Sequence, residues 1–195
     1  MTSPPPDGGA MPPSSRVSLH VDPIGVSATA RHYIRDLVYG ANDGIITTFA
    51  VVSGATGGAL SAAAVLIIGA ANLAADGMSM GVGNLQAIRA HERVRAAQNL
   101  PEEEAYPWKH GTATLVAFIC AGAVPLLPFL FPSAWGSRAA WSAALTMVAL
   151  FLIGAGRATL TRERWWVAGL ETLSLGALVA AAAYGASALV ASMIG

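Results

Sequence analysis

The sequence is short of charge. Only 11% of its 195 residues are Asp, Glu, Lys or Arg, whereas 54% are hydrophobic and the mean hydropathy is +0.55. A soluble domain carries charge on about a quarter of its residues. Here the few charges cannot cover a water-exposed surface, and they cluster between long apolar stretches. The composition therefore excludes an ordinary soluble domain and predicts an integral membrane protein.

Three further absences narrow the class of protein. The single cysteine, Cys120, lies in an apolar run, so the chain has no disulfide framework. A formal net charge of +0 argues against nucleic acid as a partner. The N-terminal region is rich in Pro, Ser and Gly and lacks the apolar core of a secretory signal. We expect residues 1–30 to form a disordered cytoplasmic tail.

Long apolar runs are what the sequence has in abundance. Crossing about 30 Å of hydrocarbon takes about 20 helical residues, and five segments are long enough. They are residues 37–60, 62–88, 111–131, 139–160 and 166–194. The sequence thus predicts an all-α bundle of five transmembrane helices over residues 31–195, with a short cytoplasmic loop at residues 89–110.

The basic residues predict how these spans are oriented. With the N-terminus in the cytoplasm, ten of the eleven Lys and Arg residues fall in cytoplasmic segments, and only Arg138 falls outside. Such an asymmetry is typical of the positive-inside rule. Because the number of spans is odd, the C-terminus is then expected outside.

Polar side chains in the first two spans are the candidates for function. A charged group deep in a span costs about 2.5–3.5 kcal/mol on insertion scales, so each needs a reason. Asp43 lies inside the first span, and in the second span four side chains spaced by four share one helix face: Asn72, Asp76, Met80 and Asn84. A carboxylate, two amides and a thioether suit a transition-metal dication better than Mg²⁺ or Ca²⁺.

Each of these residues also has an ordinary structural explanation. Met80 alone fits core filling, and Asn72 or Asn84 alone fits a hydrogen bond between helices. Asp43 and Asp76 are harder to explain in this way, because a buried carboxylate needs a partner or must become neutral.

The loop after the second span carries the acidic run Glu102, Glu103 and Glu104, with His91 and His110 nearby. An acidic cluster there would concentrate cations before they enter the membrane, so we count the three glutamates as candidate metal ligands. A solvated polar loop explains the same residues equally well. Glu171, early in the last span, fits either a pair with an interfacial arginine or a functional role.

Four motifs resemble those of the vacuolar iron transporter family. They are residues 35–44 (RDLVYGANDG), 75–84 (ADGMSMGVGN), 122–128 (GAVPLLP) and 169–176, the last joined by Tyr184-Gly185. The four motifs occur in order, over about residues 31–195, and together with five spans they are specific. The chain resembles a bacterial short form of this family, without the large cytoplasmic metal-binding domain.

The resemblance implies a function and an assembly. It implies a homodimer of five-helix protomers that exports Fe²⁺, and also Mn²⁺, from the cytoplasm by proton antiport. The implied path lies at the dimer interface between the two copies of the first span, with contributions from the second span. By position, Asp43 would be the pore carboxylate and Met80 the pore thioether. The expected partners are lipid, divalent metal ions and protons, with no cofactor, and the expected location is a bacterial inner membrane.

Two departures separate the chain from the family pattern. Only residues 89–110 join the second and third spans, where eukaryotic members carry a long Glu-rich metal-binding domain. Amides stand at Asn72 and Asn84, where members often carry carboxylates, and Asp76 is an added acid.

Two other kinds of function are weighed against transport. Loss of the cytoplasmic domain leaves open a non-transporting membrane metal sensor or scaffold. The segment Val52-Ser53-Gly54 is similar to the surroundings of a serine nucleophile, but all four histidines lie outside the predicted spans. Because no general base is then expected at the depth of Ser53, we do not expect an enzyme.

Overall fold

The computed structural model describes residues 17–131, 137–161 and 163–194. In these residues the chain forms seven α-helices: α1 Val26–His32, α2 Ile34–Gly57, α3 Ala62–Ala97, α4 Pro107–Gly122, α5 Leu127–Leu130, α6 Arg138–Thr161 and α7 Trp165–Ile194. A 3₁₀ turn, Val124–Leu126, joins α4 to α5. The only β-structure described is one isolated bridge between Ser18 and Glu102. The predicted all-α class is confirmed.

Four stretches of the described chain are long and apolar enough to cross a membrane, and they match the predicted spans two to five. They are Ala62–Ala97, Pro107–Leu130, Arg138–Thr159 and Trp165–Met193. The predicted first span is also helical, as α2, and its 24 residues reach about 36 Å. Helix α2 is not among the four long apolar stretches, because Asn42, Asp43 and several glycines lower its hydropathy. The count of five spans therefore stays a prediction.

Helix α3 is longer than its apolar run. Ser61 caps its N-terminus by accepting a hydrogen bond from the Ala64 amide at 3.2 Å, and the helix continues through Ala97 instead of ending at residue 88. Residues 89–97 are mostly Arg, Ala and Glu, which are good helix formers. Hydropathy therefore marked the end of the apolar crossing and not the end of the helix. The connection to α4 is only residues 98–106, shorter than the loop expected at 89–110.

Small residues spaced by four on α2 and α3 predict close helix packing, either between these two helices, across a dimer axis or as ordinary packing within one bundle. The structure shows packing within the bundle, because Gly40 and Gly44 of α2 lie against the backbone of α4 at Thr114 and Phe118. Gly81 of α3 meets Gly111 of α4 in the same way. Within the protomer α4 is therefore the close neighbour of both helices, because it also presents small residues. Gly154 of α6 makes a similar approach to the backbone of Ala168 on α7.

Substituting Gly44 tests this contact. A Cβ at position 44 would overlap the backbone of Phe118, which cannot move as a side chain can. We expect Gly44→Ala to lower the thermal midpoint in detergent, at a cost of about 1–3 kcal/mol for overpacking. Gly83→Ala on α3 is the matched control, since a Cβ there meets no atom within 4 Å. That variant should be neutral or stabilised by up to about 1 kcal/mol, because Ala favours helix over Gly. Equal midpoints for the two variants would contradict the packing described.

The outer surface of the bundle is apolar. On α7 alone the exposed side chains include Leu170, Leu175, Leu178, Leu189 and Val190. A contiguous apolar surface of this kind is rare on a soluble monomer and suits contact with lipid. Exposure and hydropathy together support an integral membrane protein.

The N-terminal region is described from Val17 onward. Residues 1–16, which make up much of the predicted disordered tail, lie outside the described residues. The Leu19 amide donates to the Glu102 carbonyl at 2.7 Å, and the Glu102 amide donates to the Val17 carbonyl at 2.9 Å. Helix α1 follows. The segment before α2 is thus hydrogen-bonded to the connection between α3 and α4.

Candidate metal centre

Asp36 is the most enclosed carboxylate described, with 2% of its surface exposed. It lies in the first turn of α2, where its Oδ2 accepts from His110 Nδ1 at 2.6 Å. Its Oδ1 accepts from Asn84 Nδ2 at 2.7 Å, and the same nitrogen lies 2.8 Å from Thr114 Oγ1. An ionised carboxylate only accepts hydrogen bonds, so the proton of the His110 ring belongs on Nδ1. This network joins α2, α3 and α4.

The network bears on the interpretation of Asn84. The sequence proposed this residue as a metal ligand and offered a hydrogen bond between helices as the ordinary alternative. In the structure its amide nitrogen makes that hydrogen bond, to Asp36 and Thr114. No spacing in the sequence links Asp36 to His110, 74 residues away.

Asp43 on α2 and Asp76 on α3 are both half-buried, and they lie close enough for their charges to interact. On its other side Asp43 lines an open groove with Asn42, Arg35 and Arg157. The Oδ1 atom of Asn42 is buried and has no hydrogen-bond partner among the described residues. The structure therefore brings two carboxylates from neighbouring helices together beside an unpaired amide oxygen.

The polar face of α3 is separate from its packing face. Gly77 and Gly81 lie against α4, whereas Asn72, Asp76 and Met80 are half-buried on another face of the same helix. Met80 lies one turn beyond Asp76, and the Nδ2 atom of Asn72 is buried without a partner among the described residues. Helix α4 therefore does not cover this face of α3.

The acidic run does not form one cluster. Glu103 pairs with Arg95 at 2.8 Å, and the backbone of Glu102 forms the bridge to the N-terminal segment. Only Glu104 faces a group of histidines. Glu92, which is buried on α3, places this stretch by accepting hydrogen bonds from the amides of Glu103 and Glu104 at 3.1 and 3.0 Å.

Three histidines surround Glu104, and together we call these residues the histidine cluster: His20, His32, Glu104 and His110. The Oε2 atom of Glu104 lies 3.0 Å from His110 Nε2 and 3.3 Å from His20 Nδ1. Its Oε1 atom lies 3.8 Å from His32 Nε2. The side chains of His20 and His110 are only 5% and 4% exposed. The sequence gave no sign of this grouping, because its members come from four separate segments.

Aromatic and charged neighbours hold the histidine cluster in place. Tyr33 packs edge-on against His32 with ring centres 4.7 Å apart, and its centre lies 4.8 Å from that of His110. Burial raises the pKa of the Tyr33 hydroxyl. Asp22 accepts from Lys109 at 3.1 Å and from His20 Nε2 at 3.4 Å. The Lys109 hydrogen bond, followed by that of His20, lowers the pKa of the Asp22 carboxyl.

Glu171 has a clear partner. Its Oε2 atom lies 2.6 Å from Nη2 of Arg157 on α6, and both side chains reach solvent or lipid at the edge of the bundle. The pairing with an arginine that the sequence offered as one explanation is present.

Comparison with known proteins gives a consistent result. The model of the VIT family matches residues 34–105 and 85–188, which include α2, α3, α4, α6 and most of α7. Vacuolar iron transporter 2 of Oryza sativa subsp. japonica is 25% identical over 222 aligned positions, which cover 85% of this chain and 90% of that protein. Vacuolar iron transporter 1 of Arabidopsis thaliana is 25% identical, with 80% and 85% covered. A vacuolar iron transporter of Toxoplasma gondii is 39% identical over 85 residues, which cover 39% of this chain and 28% of that protein.

Proposed function

The chain belongs to the VIT family, and on this premise we propose that it carries Fe²⁺, with Mn²⁺ as a second substrate, out of the cytoplasm across a membrane. The relatives described above are named as iron transporters, which supports a metal ion as the cargo and favours a non-enzymatic function. The observation that carries the proposal is the pairing of Asp43 on α2 with Asp76 on α3 inside an apolar bundle.

The paired carboxylates explain how metal and proton would be coupled. Two negative charges close together in a surrounding of low dielectric repel one another strongly. A divalent cation relieves this repulsion, and so does a proton on either group. Because metal and protons then compete for the same oxygens, loading one releases the other, which is the requirement for proton antiport.

The remaining polar residues extend this site into a path. Met80 supplies a thioether one turn from Asp76, and Asn72 supplies an amide one turn on the other side. A soft thioether beside hard carboxylates favours Fe²⁺ over Mg²⁺, which prefers oxygen ligands alone. We place Asn84 at the inner end of the path, where its amide also holds Asp36.

The open groove beside Asp43 supports a dimer. Val38, Tyr39 and Ile46 line this groove together with Asp43, so a charged group lies on a face that is not closed within one protomer. We propose that a second copy packs here and that α2 also crosses the membrane, which brings the number of spans to five. The two α2 helices of the dimer would then lie on either side of the path. The N-terminus would be cytoplasmic and the C-terminus outside, in the inner membrane of a bacterium.

Asp76→Asn tests the coupling. In proteoliposomes, wild-type protein should move Fe²⁺ faster than empty liposomes, and an opposing proton gradient should accelerate this flux. We expect Asp76→Asn to slow the flux by about tenfold or more, as for a loss of about 1.4 kcal/mol of interaction, and to remove its response to the gradient. Calcein quenching at several pH gradients measures both effects. A variant that keeps the wild-type gradient response would contradict a role for Asp76 in coupling.

The alternative of a membrane metal sensor or scaffold makes a different prediction. Such a protein would bind Fe²⁺ or Mn²⁺ in a titration and yet give no flux above that of empty liposomes. Loss of the large cytoplasmic domain motivates it. The same liposome assay therefore separates the two functions.

A further inference from the structure

We propose that the histidine cluster is a second metal site, which binds a divalent transition-metal ion through His20, His32, His110 and Glu104. It lies at the end of the bundle where the N-terminal segment meets the connection between α3 and α4. Its ligands do not include Asp43, Asp76 or Met80. The proposal is therefore independent of the transport path and goes beyond it.

The spacing of the donor atoms fits a single ion. Bonds of about 2.0–2.1 Å place neighbouring ligand atoms about 3.3 Å apart in a tetrahedral site and about 3.0 Å apart in an octahedral one. The distances from Glu104 oxygens to ring nitrogens are 3.0, 3.3 and 3.8 Å. One ligand atom from each of His20, His32 and Glu104 also lies within 4.8 Å of the others. His110 is not in that group and adjoins it through Glu104, whose Oε2 atom lies 3.0 Å from His110 Nε2.

The nitrogen and oxygen atoms that would bind the metal are not satisfied by hydrogen bonds within the protein. Four buried atoms have no hydrogen-bond partner among the described residues: His20 Nδ1, His32 Nε2, His110 Nε2 and Glu104 Oε2. The clearest case is His110, whose Nδ1 proton goes to Asp36. Its Nε2 in the neutral ring is then a lone pair that faces a carboxylate oxygen at 3.0 Å. Two acceptors at this distance require a cation between them or a second proton on the ring.

The surroundings resemble the outer shell of known metal sites. A ligating histidine usually donates its second ring N–H to a carboxylate, which fixes the tautomer and makes the ligand nitrogen more basic. Asp36 does this for His110 at 2.6 Å, and Asp22 is placed to do so for His20 at 3.4 Å. In both rings the other nitrogen then points at Glu104.

The donor set indicates the class of ion. Three imidazole nitrogens and one carboxylate suit Zn²⁺, Fe²⁺ or Co²⁺, and they do not suit Ca²⁺ or Mg²⁺. A cavity of about 480 Å³, lined by His32, Glu104 and His110, reaches the cluster and gives an ion a way in. A bound ion would fasten the segment carrying His20 and His32 to α4.

Co²⁺ binding to the purified full-length protein tests the proposal, because the visible absorption of Co²⁺ reports its ligands. The protein is prepared in detergent without a polyhistidine tag and carries Asp43→Asn, so that the transport path does not contribute. We expect one Co²⁺ per chain, displaced by Zn²⁺, and a rise in thermal midpoint with Zn²⁺. His20→Gln or His32→Gln should weaken binding by about 10–100-fold or more, since loss of outer-shell partners alone costs that much.

His91→Gln is the matched control. His91 is a histidine of the same region, 63% exposed, and its Nε2 lies 3.7 Å from Oε2 of Glu103. Its substitution should leave the Co²⁺ spectrum and affinity unchanged. Absence of Co²⁺ absorption, or full absorption in both His20→Gln and His32→Gln, would overturn the proposal and assign the cluster to protonated histidines paired with Glu104. Failure of Fe²⁺ flux with an intact Co²⁺ spectrum would overturn transport alone.

Discussion

Replacing Asp43 with asparagine is expected to reduce Fe²⁺ flux in proteoliposomes to that of empty liposomes. The substitution keeps the size of the side chain and removes one of two interacting negative charges on α2 and α3. Loss of one carboxylate weakens the attraction for a divalent cation, and a loss of about 2 kcal/mol is about thirtyfold in affinity. A site with one carboxylate would also lose the competition between metal and protons on which antiport depends.

The matched control for Asp43→Asn is Glu163→Gln. Glu163 lies between α6 and α7 and is 53% exposed, with Arg157 at 3.7 Å. This control removes a negative charge outside the paired carboxylates and should leave flux unchanged. Asp43→Glu, which keeps the charge on a longer side chain, should retain part of the activity. Normal flux in Asp43→Asn would rule out the proposed path.

Replacing Asp36 with alanine is expected to cause the largest loss of stability of any single carboxylate substitution in the described chain. Asp36 accepts hydrogen bonds from His110 and Asn84 and is 2% exposed. Its removal takes the acceptor away from the buried Nδ1 of His110 on α4, and Asn84 on α3 keeps only its hydrogen bond to Thr114. Breaking a buried charged pair in this way costs about 3–5 kcal/mol, so the thermal midpoint in detergent should fall by many degrees.

A second substitution separates the network from a general loss of packing. Glu163→Ala removes an exposed carboxylate and should change stability by no more than about 1 kcal/mol. Combining Asp36→Ala with Asn84→Ala should cost less than the sum of the two single changes, because the two residues share a hydrogen bond. Additive losses would show that the bond between Asp36 and Asn84 contributes nothing to stability.

The sequence predicted the helices well and their partners poorly. Apolar runs located four long membrane helices, and the family motifs marked α2, because both signals are local. The end of α3 was missed since residues 89–97 are polar yet helical. The contact of Gly40 and Gly44 with α4 was also missed, because a spacing of four identifies a close-packing face without saying which helix lies on it.

The residues of the candidate site were likewise predicted only in part. Asp43 and Asp76 were chosen because charge in an apolar run is costly wherever the helix packs, and in the structure they lie close enough for their charges to interact. The histidine cluster was not foreseen, since residues 20, 32, 104 and 110 share no period and meet only through the fold. Glu102, Glu103 and Glu104 were treated as one acidic group, but the side chains of Glu103 and Glu104 have different partners, Arg95 and His110.

The glycine contacts also determine how the bundle can move. Between α2 and α4 at Gly40 and Gly44, and between α6 and α7 at Gly154, the nearest atom across the contact is a backbone carbonyl oxygen. The two helices of each pair should therefore move together as one rigid body. Gly57 touches the backbone of Tyr184 where α2 crosses α7, far along α2 from Asp43. We expect this crossing to be the pivot between the two helix pairs, so that a small tilt of one pair relative to the other widens or narrows the groove beside Asp43.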